Sequence, residues 1–317
     1  MSVERSVDLG DLADRVRLFG EHDRNLTAIE TSLAVSVRAD SDRLLLAGAP
    51  EDVDRAERVV KAVLEAALGG AHVTPDDVAL ALVDARQNNG GSALPKTLLR
   101  TQRGGEVRPR SAGQRAFVSA VERHALTIGI GPAGTGKTYL AIVMAVRALK
   151  NRDVARVILS RPAVEAGENL GFLPGDLREK VDPYMRPLFD ALNELLDDGV
   201  VNRYIDRGTL EVAPLAYMRG RTLSEAFVIL DEAQNATADQ LKMFLTRLGA
   251  ASKMVVVGDA TQIDLLGASR SGLRDAASRL AGIEDVGIVE LDETDVVRHP
   301  LVGRIIRAYA RPESRVP

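Results

Sequence analysis

A glycine-rich stretch in the middle of the chain, GPAGTGKT, has residue types and a spacing suited to binding a polyphosphate. It fits the pattern GxxxxGK[ST]. Glycines let backbone N–H groups curl around phosphate oxygens, and the positive end of a following helix adds attraction. We expect Lys137 to reach the β- and γ-phosphates and Thr138 to offer its hydroxyl to Mg²⁺. The expected nucleotide-binding residues are Gly131, Pro132, Ala133, Gly134, Thr135, Gly136, Lys137 and Thr138.

A second stretch, VILDEAQN, runs an apolar segment directly into two carboxylates about 90 residues after the first. Burying two neighbouring carboxylates is costly unless a cation compensates them. We expect Asp231 to hold Mg²⁺ through water and Glu232 to act as the general base toward the water that attacks the γ-phosphate. In the alternative interpretation, the pair only leads into and caps a helix that begins near Thr237.

A third stretch, KMVVVGDATQID, places Gln262 five residues after Val257, where another apolar run ends. Glutamine both donates and accepts hydrogen bonds, so it can contact a γ-phosphate and the attacking water together. This predicts Gln262 as a sensor of the nucleotide state. The motif is weak alone and gains weight from the other two.

The elements that must position these residues are apolar strands with helices between most of them. That alternation predicts an α/β fold with a doubly wound parallel sheet and a nucleotide at the carboxyl ends of its strands. The adjacent Asp and Glu favour a RecA/helicase-like P-loop NTPase over a GTPase or a small-molecule kinase. The expected strands are 125–130, 154–160, 226–231, 254–258 and 287–291.

Residues 1–86 predict a small α+β domain with the element order strand, helix, turn, helix, strand, strand, helix. This is the order of a type I KH domain, whose GXXG loop clamps RNA. The loop here, 20–23, reads GEHD, with aspartate in place of the second glycine. The domain is also acidic, with 17 Asp and Glu against 10 Lys and Arg. A KH-like shape that docks protein therefore stands beside RNA clamping as an interpretation.

Helical periodicity and caps support those elements. Apolar residues recur on one face of two predicted helices, and Thr74 is placed to cap a third. These face residues are Leu26, Ile29 and Leu33 in the first helix, and Val53, Ala56, Val60 and Val63 in the second.

Residues 87–112 predict a linker followed by a basic β-hairpin that turns at Gly104-Gly105. The ATPase core is expected over 113–311, with a tail at 312–317. Between 96 and 115 there are six basic residues and one acid, which indicates a nucleic-acid track. A solvated hairpin that forms salt bridges is the alternative. The basic residues are Lys96, Arg100, Arg103, Arg108, Arg110 and Arg115.

The amino-acid composition limits the chemistry, the location and the modes of nucleic-acid binding open to this protein. The 317 residues include no cysteine, which excludes disulfides and thiolate chemistry and suits the cytoplasm. Four scattered histidines have no metal-ligand spacing, and no apolar run is long enough to cross a membrane. A net charge of −4 and 3% aromatic residues count against a protein held to nucleic acid by charge or by base stacking alone.

The stretches GPAGTGKTYLA, LSRPAVEAGENLGFLPGD, AYMRGRTL, VILDEAQN, VVGDATQID and DVVRHPLV together resemble the PhoH-like family of ATPases. The resemblance covers about 95–310, and the KH-like part fits members that carry such a domain. It implies a core like the first motor core of superfamily 1 helicases, ATP binding and a link to RNA metabolism. It also implies association with an endoribonuclease of ribosomal RNA maturation and assembly into hexameric rings.

The resemblance also implies roles for single residues. Gln114 matches the glutamine that reads adenine, and Arg161 lies where helicases touch the nucleic-acid backbone. A γ-phosphate contact is implied for one of Arg219, Arg221 and Arg298. The expected catalytic residues are thus Lys137, Asp231, Glu232, Gln262 and Arg298, and the nucleic-acid candidates are Arg100, Arg103, Arg108, Arg110 and Arg161.

We therefore predict a Mg²⁺-dependent ATPase that remodels RNA or RNA–protein assemblies. The chain has room for one motor core, so a neighbouring subunit must supply the second wall of the site, which predicts a homo-oligomeric ring. The first alternative is an ATP-gated adaptor that docks an endoribonuclease without unwinding RNA. A small-molecule phosphotransferase is the second, and no residues indicate its acceptor pocket.

Overall fold

The computed structural model describes residues 2–10, 12, 15–70, 72–86, 97–101, 104–162, 177–197, 199–265 and 271–297. The chain divides into two units, Met1–Lys96 and Thr97–Pro317. The basic hairpin belongs to the second unit, where Leu98 and Val107 join the hydrophobic core. The unit boundary therefore lies inside the predicted linker and ahead of the hairpin.

The first unit packs four helices around a three-stranded antiparallel sheet of order β1-β3-β2. The predicted apolar faces of α2 and α3 are buried in its core. Thr74 caps α4 as predicted, in a reciprocal pair with Asp77. The elements are β1 (Val3–Asp8), α1 (Val16–Phe19), α2 (Arg24–Leu33), β2 (Ser36–Asp40), β3 (Arg43–Gly48), α3 (Pro50–Leu68) and α4 (Pro75–Arg86).

The loop between α1 and α2 contains the stretch compared above with GXXG. Gly20 has φ 72°, and the two residues His22 and Asp23 also adopt positive φ within a short 3-10 turn. Glu21 pairs with Arg24 at 2.7 Å, so one of the loop's acids is neutralised. The element order is the one predicted; the KH-like assignment stays a prediction.

The second unit is a six-stranded sheet in which every neighbouring pair is parallel, with the order β11-β6-β10-β9-β7-β8. Separate apolar clusters cover its two faces. This confirms the predicted α/β doubly wound fold. The elements are β4 (Leu99–Arg100), β5 (Glu106–Val107), α5 (Ala112–Arg123), β6 (Leu126–Ile130), α6 (Lys137–Asn151), β7 (Arg156–Arg161), α7 (Leu177–Leu195), α8 (Val200–Asp206), β8 (Leu210–Pro214), β9 (Ala226–Leu230), α9 (Ala238–Leu245), β10 (Lys253–Gly258), α10 (Leu273–Leu280) and β11 (Val286–Glu290).

One strand of this sheet, β8, is absent from the predicted set. It is an edge strand of five residues that pairs only with β7 among the described strands and ends at Pro214. Edge strands are half-exposed, so their sequences carry less of the continuous apolar run that marks central parallel strands. The five predicted strands all exist, with ends shifted by one or two residues.

Candidate functional site

Parallel strand register brings the predicted motifs to one edge of the sheet. Leu230 pairs with Ser160 and Ile130 pairs with Gly258, so the residues that follow these strands emerge side by side. The glycine-rich loop lies between β6 and α6. A cavity of about 260 Å³ at this edge is lined by Ala133, Gly134, Gly136, Lys137, Thr138, Tyr139, Asp231, Glu232, Gly258, Asp259 and Gln262.

The backbone of the glycine-rich loop needs glycine at specific points. Gly134 and Gly136 have φ of 87° and 78°, values that side chains disfavour. A Cβ on Gly131 would lie 2.6 Å from the carbonyl oxygen of Leu291. The glycines therefore allow both the curl of the loop and its close approach to the end of β11.

Lys137 begins α6 and points back into the loop. Its Nζ donates to the carbonyl oxygens of Gly131 at 2.6 Å and Pro132 at 2.8 Å, and to Thr135 Oγ1 at 3.1 Å. Burial lowers the pKa of Lys137, and the nearby carboxylates oppose that shift. The ammonium group is thus held at the centre of the loop, where a phosphate would meet it.

Asp259, which follows β10, braces the loop. Its Oδ2 accepts from Ala133 N at 2.9 Å and from Gln262 Nε2 at 3.0 Å, while Thr261 donates to its Oδ1. Burial opposes ionisation, but the hydrogen bonds from Thr261 and Ala133 and the charge of Lys137 outweigh it and hold the pKa of Asp259 below its usual value. The sequence reasoning assigned Asp259 no role, although its place at a strand end was the available signal.

Thr138 and Asp231 form the predicted metal-binding pair. Asp231 is 2% exposed, and its Oδ1 accepts a hydrogen bond from Thr138 Oγ1 at 2.6 Å. A hydroxyl and a carboxylate oxygen are donors that Mg²⁺ takes when phosphates complete its shell. No group of three His, Asp or Glu side chains placed to hold a metal occurs among the described residues. The oxygen donors of Thr138 and Asp231 are of the type that binds Mg²⁺ together with phosphates.

Glu232 lies at the mouth of the cavity with a side chain that is 45% exposed. Its backbone adopts φ 52°, a conformation that costs a non-glycine residue on the order of 1–3 kcal/mol. Gln234 Nε2 donates to Glu232 Oε2 at 2.6 Å, and Gln234 Oε1 accepts from Asp259 N at 3.0 Å. Gln234, to which the sequence reasoning gave no role, thus links the two carboxylate motifs.

Gln262 reaches the same cavity as Glu232, as the sensor prediction requires. Its side-chain amide donates to Asp259 at 3.0 Å, and its backbone N–H donates to the Asp259 carbonyl at 3.1 Å. The amide is therefore anchored to the residue that also holds the loop.

Gln114 lies against the glycine-rich loop at the start of α5. Its Nε2 donates to Thr135 O at 2.9 Å, and its Oε1 accepts from Arg110 N at 2.6 Å. Both polar groups of the amide contact the protein's own backbone here, so an adenine contact requires one of them to be exchanged. The adenine-reading role stays a prediction.

The segment after β11 runs along the loop. Leu291 N donates to Ile130 O at 2.8 Å, and Val297 N donates to Gly134 O at 3.0 Å. Asp295 accepts from Gly113 N at 2.9 Å and so ties this segment to α5. Arg298, predicted as catalytic, lies outside the described residues.

The other arginine candidates separate by their contacts. Arg221 forms a two-point ion pair with Glu211, at 2.6 and 2.7 Å, which favours a structural role. Arg219 is exposed, and no ion pair or side-chain hydrogen bond of its own occurs within the part of the chain that the structure describes. Arg161, predicted as a nucleic-acid contact, instead forms an ion pair with Asp231 of the predicted metal-binding pair.

In the basic hairpin, Arg108 is buried, donates to Thr97 Oγ1 at 3.0 Å and pairs with Glu106. Arg100 is 70% exposed and pairs with the same glutamate at 3.0 Å. Arg110 is exposed, and Arg103 lies outside the described residues. The burial of Arg108 favours the alternative that it belongs to a salt-bridged hairpin over its predicted contact with nucleic acid.

A larger cavity, of about 570 Å³, lies at the opposite edge of the sheet. Two cationic side chains that line it, Lys253 and Arg147, are already engaged. Lys253 Nζ donates to the carbonyl oxygens of Val121, Glu122 and His124, and Arg147 pairs with Glu122 at 2.6 Å. The bonds from Lys253 satisfy carbonyl groups at the end of α5, which indicates a structural role. The smaller cavity is therefore the functional candidate.

The parallel sheet, the glycine-rich loop and the strand-end carboxylates define a P-loop nucleotide-binding protein. The sequence profile of the family described as "PhoH-like protein" matches residues 106–310. The chain belongs to this family. No helix in the described ranges is long and apolar enough to cross a membrane.

Curated relatives support that membership along most of the chain. A PhoH-like protein of Mycobacterium tuberculosis is 50% identical over 94% of this chain and 86% of its own length. The Bacillus subtilis PhoH-like protein is 48% identical over 93% of this chain and 94% of its own length. Protein PhoH of Escherichia coli is 46% identical over 63% of this chain and 57% of its own length.

Among solved structures, the Sulfolobus solfataricus SWI2/SNF2 ATPase core in complex with dsDNA aligns with a TM-score of 0.35 and 10% identity. The alignment covers 57% of this chain and 44% of the other. A similarity of this size supports no conclusion about function.

Proposed function

We propose that the protein is a Mg²⁺-dependent ATPase that couples hydrolysis to the remodelling of RNA or RNA–protein assemblies. The observation that carries the ATPase part is the meeting of Lys137, Thr138, Asp231 and Glu232 around one cavity. These four residues come from two stretches about 90 residues apart and supply a phosphate-binding cation, two metal-ligand oxygens and a base.

Each side chain has a defined task in this proposal. Lys137 neutralises the β- and γ-phosphates, and Thr138 and Asp231 hold Mg²⁺, which supplies charge neutralisation when it is bound. Glu232 accepts the proton of the attacking water. The bond from Gln234 fixes the carboxylate of Glu232, and Gln262 orients the water against the γ-phosphate.

We also propose that the second wall of the site comes from a neighbouring copy in a homo-oligomeric ring. Arg219 supports this, because it is exposed beside Tyr217, which is 53% exposed, and both lie just beyond edge strand β8. Leu215 and Met218 anchor this turn in the core. Arg219 is therefore favoured over Arg221 as the arginine that reaches a neighbour's γ-phosphate. Sedimentation of a fully active monomer would contradict the ring.

An ATP-gated adaptor for an endoribonuclease is the second candidate. The pairing of Arg108 with Glu106 favours it, because that pairing removes one cation from the predicted nucleic-acid track. The acidic first unit points the same way.

Steady-state ATP hydrolysis with and without single-stranded RNA separates the two functions. Mg²⁺-dependent hydrolysis that RNA accelerates supports the coupled ATPase. Hydrolysis that RNA leaves unchanged, with ATP-dependent retention on an immobilised endoribonuclease, supports the adaptor. Lys137→Ala is the matched control, and its hydrolysis should be lost in either case.

A further inference from the structure

The side chain of Arg161 lies within the predicted metal site. Its Nε is 2.8 Å from Asp231 Oδ2, and its Nη2 is 3.9 Å from Glu232 Oε1. Strand register explains the contact, because Ser160 pairs with Leu230 and the next residue of each strand follows directly. The Arg161 side chain is only 13% exposed, so this ion pair is shielded from water.

Both carboxylate oxygens of Asp231 are therefore engaged within the protein. Thr138 takes Oδ1 and Arg161 takes Oδ2. A buried carboxylate that has lost a cation is strongly destabilising, so the guanidinium meets the need for which Mg²⁺ was invoked from the sequence. The ion pair supplies Asp231 with a cationic partner at the end of a core strand before any ligand binds.

A cation already bound to Asp231 must affect the binding of another. Mg²⁺ placed against Asp231 would meet the charge of Arg161 at short range in a poorly solvated site, where like charges repel strongly. A nucleotide changes this balance, because its phosphates bring negative charge that accommodates both cations. Free Mg²⁺ brings no such negative charge, so the repulsion between it and Arg161 remains.

We infer that Arg161 is an internal counter-ion of Asp231 that competes with Mg²⁺. The site therefore binds free Mg²⁺ weakly and binds Mg²⁺ more tightly when a nucleotide is present. Arg161 is a positioning residue in this account, since it acts through Asp231. When Mg²⁺ takes Asp231, the guanidinium still has the carboxylate of Glu232 nearby. The inference rests on the proposed ATPase function, because it requires a site that takes Mg²⁺.

The test measures metal and nucleotide binding, not turnover. In the first titration, Arg161→Met receives MgCl₂ alone, and metal binding is measured by the change in its thermal unfolding. In the second, it receives a fluorescent ADP analogue in either EDTA or MgCl₂. Arg161→Lys keeps the charge. Arg147→Met is the matched control, because it removes an arginine–carboxylate pair at the other edge of the sheet.

For Arg161→Met we expect MgCl₂ alone to stabilise the fold at a concentration about tenfold lower than for the wild type, a coupling of ordinary size. By linkage, the ratio of the analogue's Kd in EDTA to its Kd in saturating MgCl₂ should fall by about tenfold, because the free site of the variant already accepts Mg²⁺ without a nucleotide. Arg161→Lys and Arg147→Met should follow the wild type. An Arg161→Met protein with wild-type values in both titrations overturns the inference while leaving the ATPase proposal intact.

Loss of the ion pair could also unfold Arg161→Met in EDTA. The inference then predicts that MgCl₂ restores its circular dichroism spectrum, because the metal replaces the guanidinium beside Asp231. A variant that stays unfolded at saturating MgCl₂ overturns the inference. A wild type that binds no nucleotide under any condition overturns the proposed function, and the inference with it.

Discussion

Asp259→Asn tests the role of Asp259 in holding the phosphate-binding loop. The substitution keeps the shape of the side chain and keeps Oδ1 for Thr261. It places an NH₂ group where Oδ2 accepts from Ala133 N and Gln262 Nε2. Gln262 can turn to solvent because it is exposed, whereas the backbone N–H of Ala133 loses its hydrogen bond to Asp259 Oδ2.

The expected magnitude follows from the loss of that hydrogen bond to a carboxylate. A hydrogen bond to a charged group in a part-buried site contributes about 1–3 kcal/mol. This cost falls on the loop conformation that binds phosphate, so the apparent Kd rises as the competent fraction falls. We therefore expect nucleotide affinity to weaken by about 5- to 150-fold, using about 1.4 kcal/mol for each factor of ten.

The assay is titration of a fluorescent ADP analogue in MgCl₂. Asp264→Asn is the matched control, because it removes the same charge from an exposed position in the segment after β10 that also contains Asp259. Its affinity should stay within about twofold of the wild type. Equal weakening in the two variants would show that net charge, not the bond to Ala133, holds the loop, and our reasoning would be refuted.

Two further predictions concern the same loop. Because burial lowers the pKa of Lys137 and a bound phosphate favours its ammonium form, nucleotide affinity should be full below the lowered pKa and fall as pH rises through it, ahead of the usual value of 10.5. Titration of the ADP analogue at increasing pH measures this fall in affinity. If Lys137 is its source, the affinity of Lys137→Met should not change over the same pH range. Gly131→Ala should lower the free energy of unfolding by about 1–3 kcal/mol, because its Cβ meets the Leu291 carbonyl at 2.6 Å. Chemical denaturation measures the free energy of unfolding, and Gly105→Ala is the control because its Cβ meets only the rotatable Thr101 hydroxyl at 3.1 Å. Equal losses of stability in the two variants would contradict the proposed clash at Gly131.

Sequence reasoning located the P-loop and its carboxylates because their signals are local. Positive φ at Gly134 and Gly136 is a backbone requirement that glycine meets. The apolar run ahead of Asp231 is the signature of a central parallel strand, buried on both faces. Such features can be read in a window of ten residues.

The contacts that complete the site are not local. Arg161 meets Asp231 across 70 residues and Asp259 meets Ala133 across 126, so both depend on strand order and register. Neither order nor register follows from the periodicity of one strand. Edge strand β8 escaped prediction for a related reason, since its half-buried residues alternate only weakly.

The most direct test of the proposed function is Glu232→Gln, assayed both for hydrolysis of Mg²⁺–ATP and for binding of the ADP analogue. Loss of a general base lowers turnover by about 10²- to 10⁴-fold, whereas the neutral glutamine leaves the P-loop unchanged and binding should persist. Glu284→Gln, which alters an exposed loop, should behave as the wild type in both assays. Near-normal hydrolysis by Glu232→Gln would contradict the account of a carboxylate base at the end of β9.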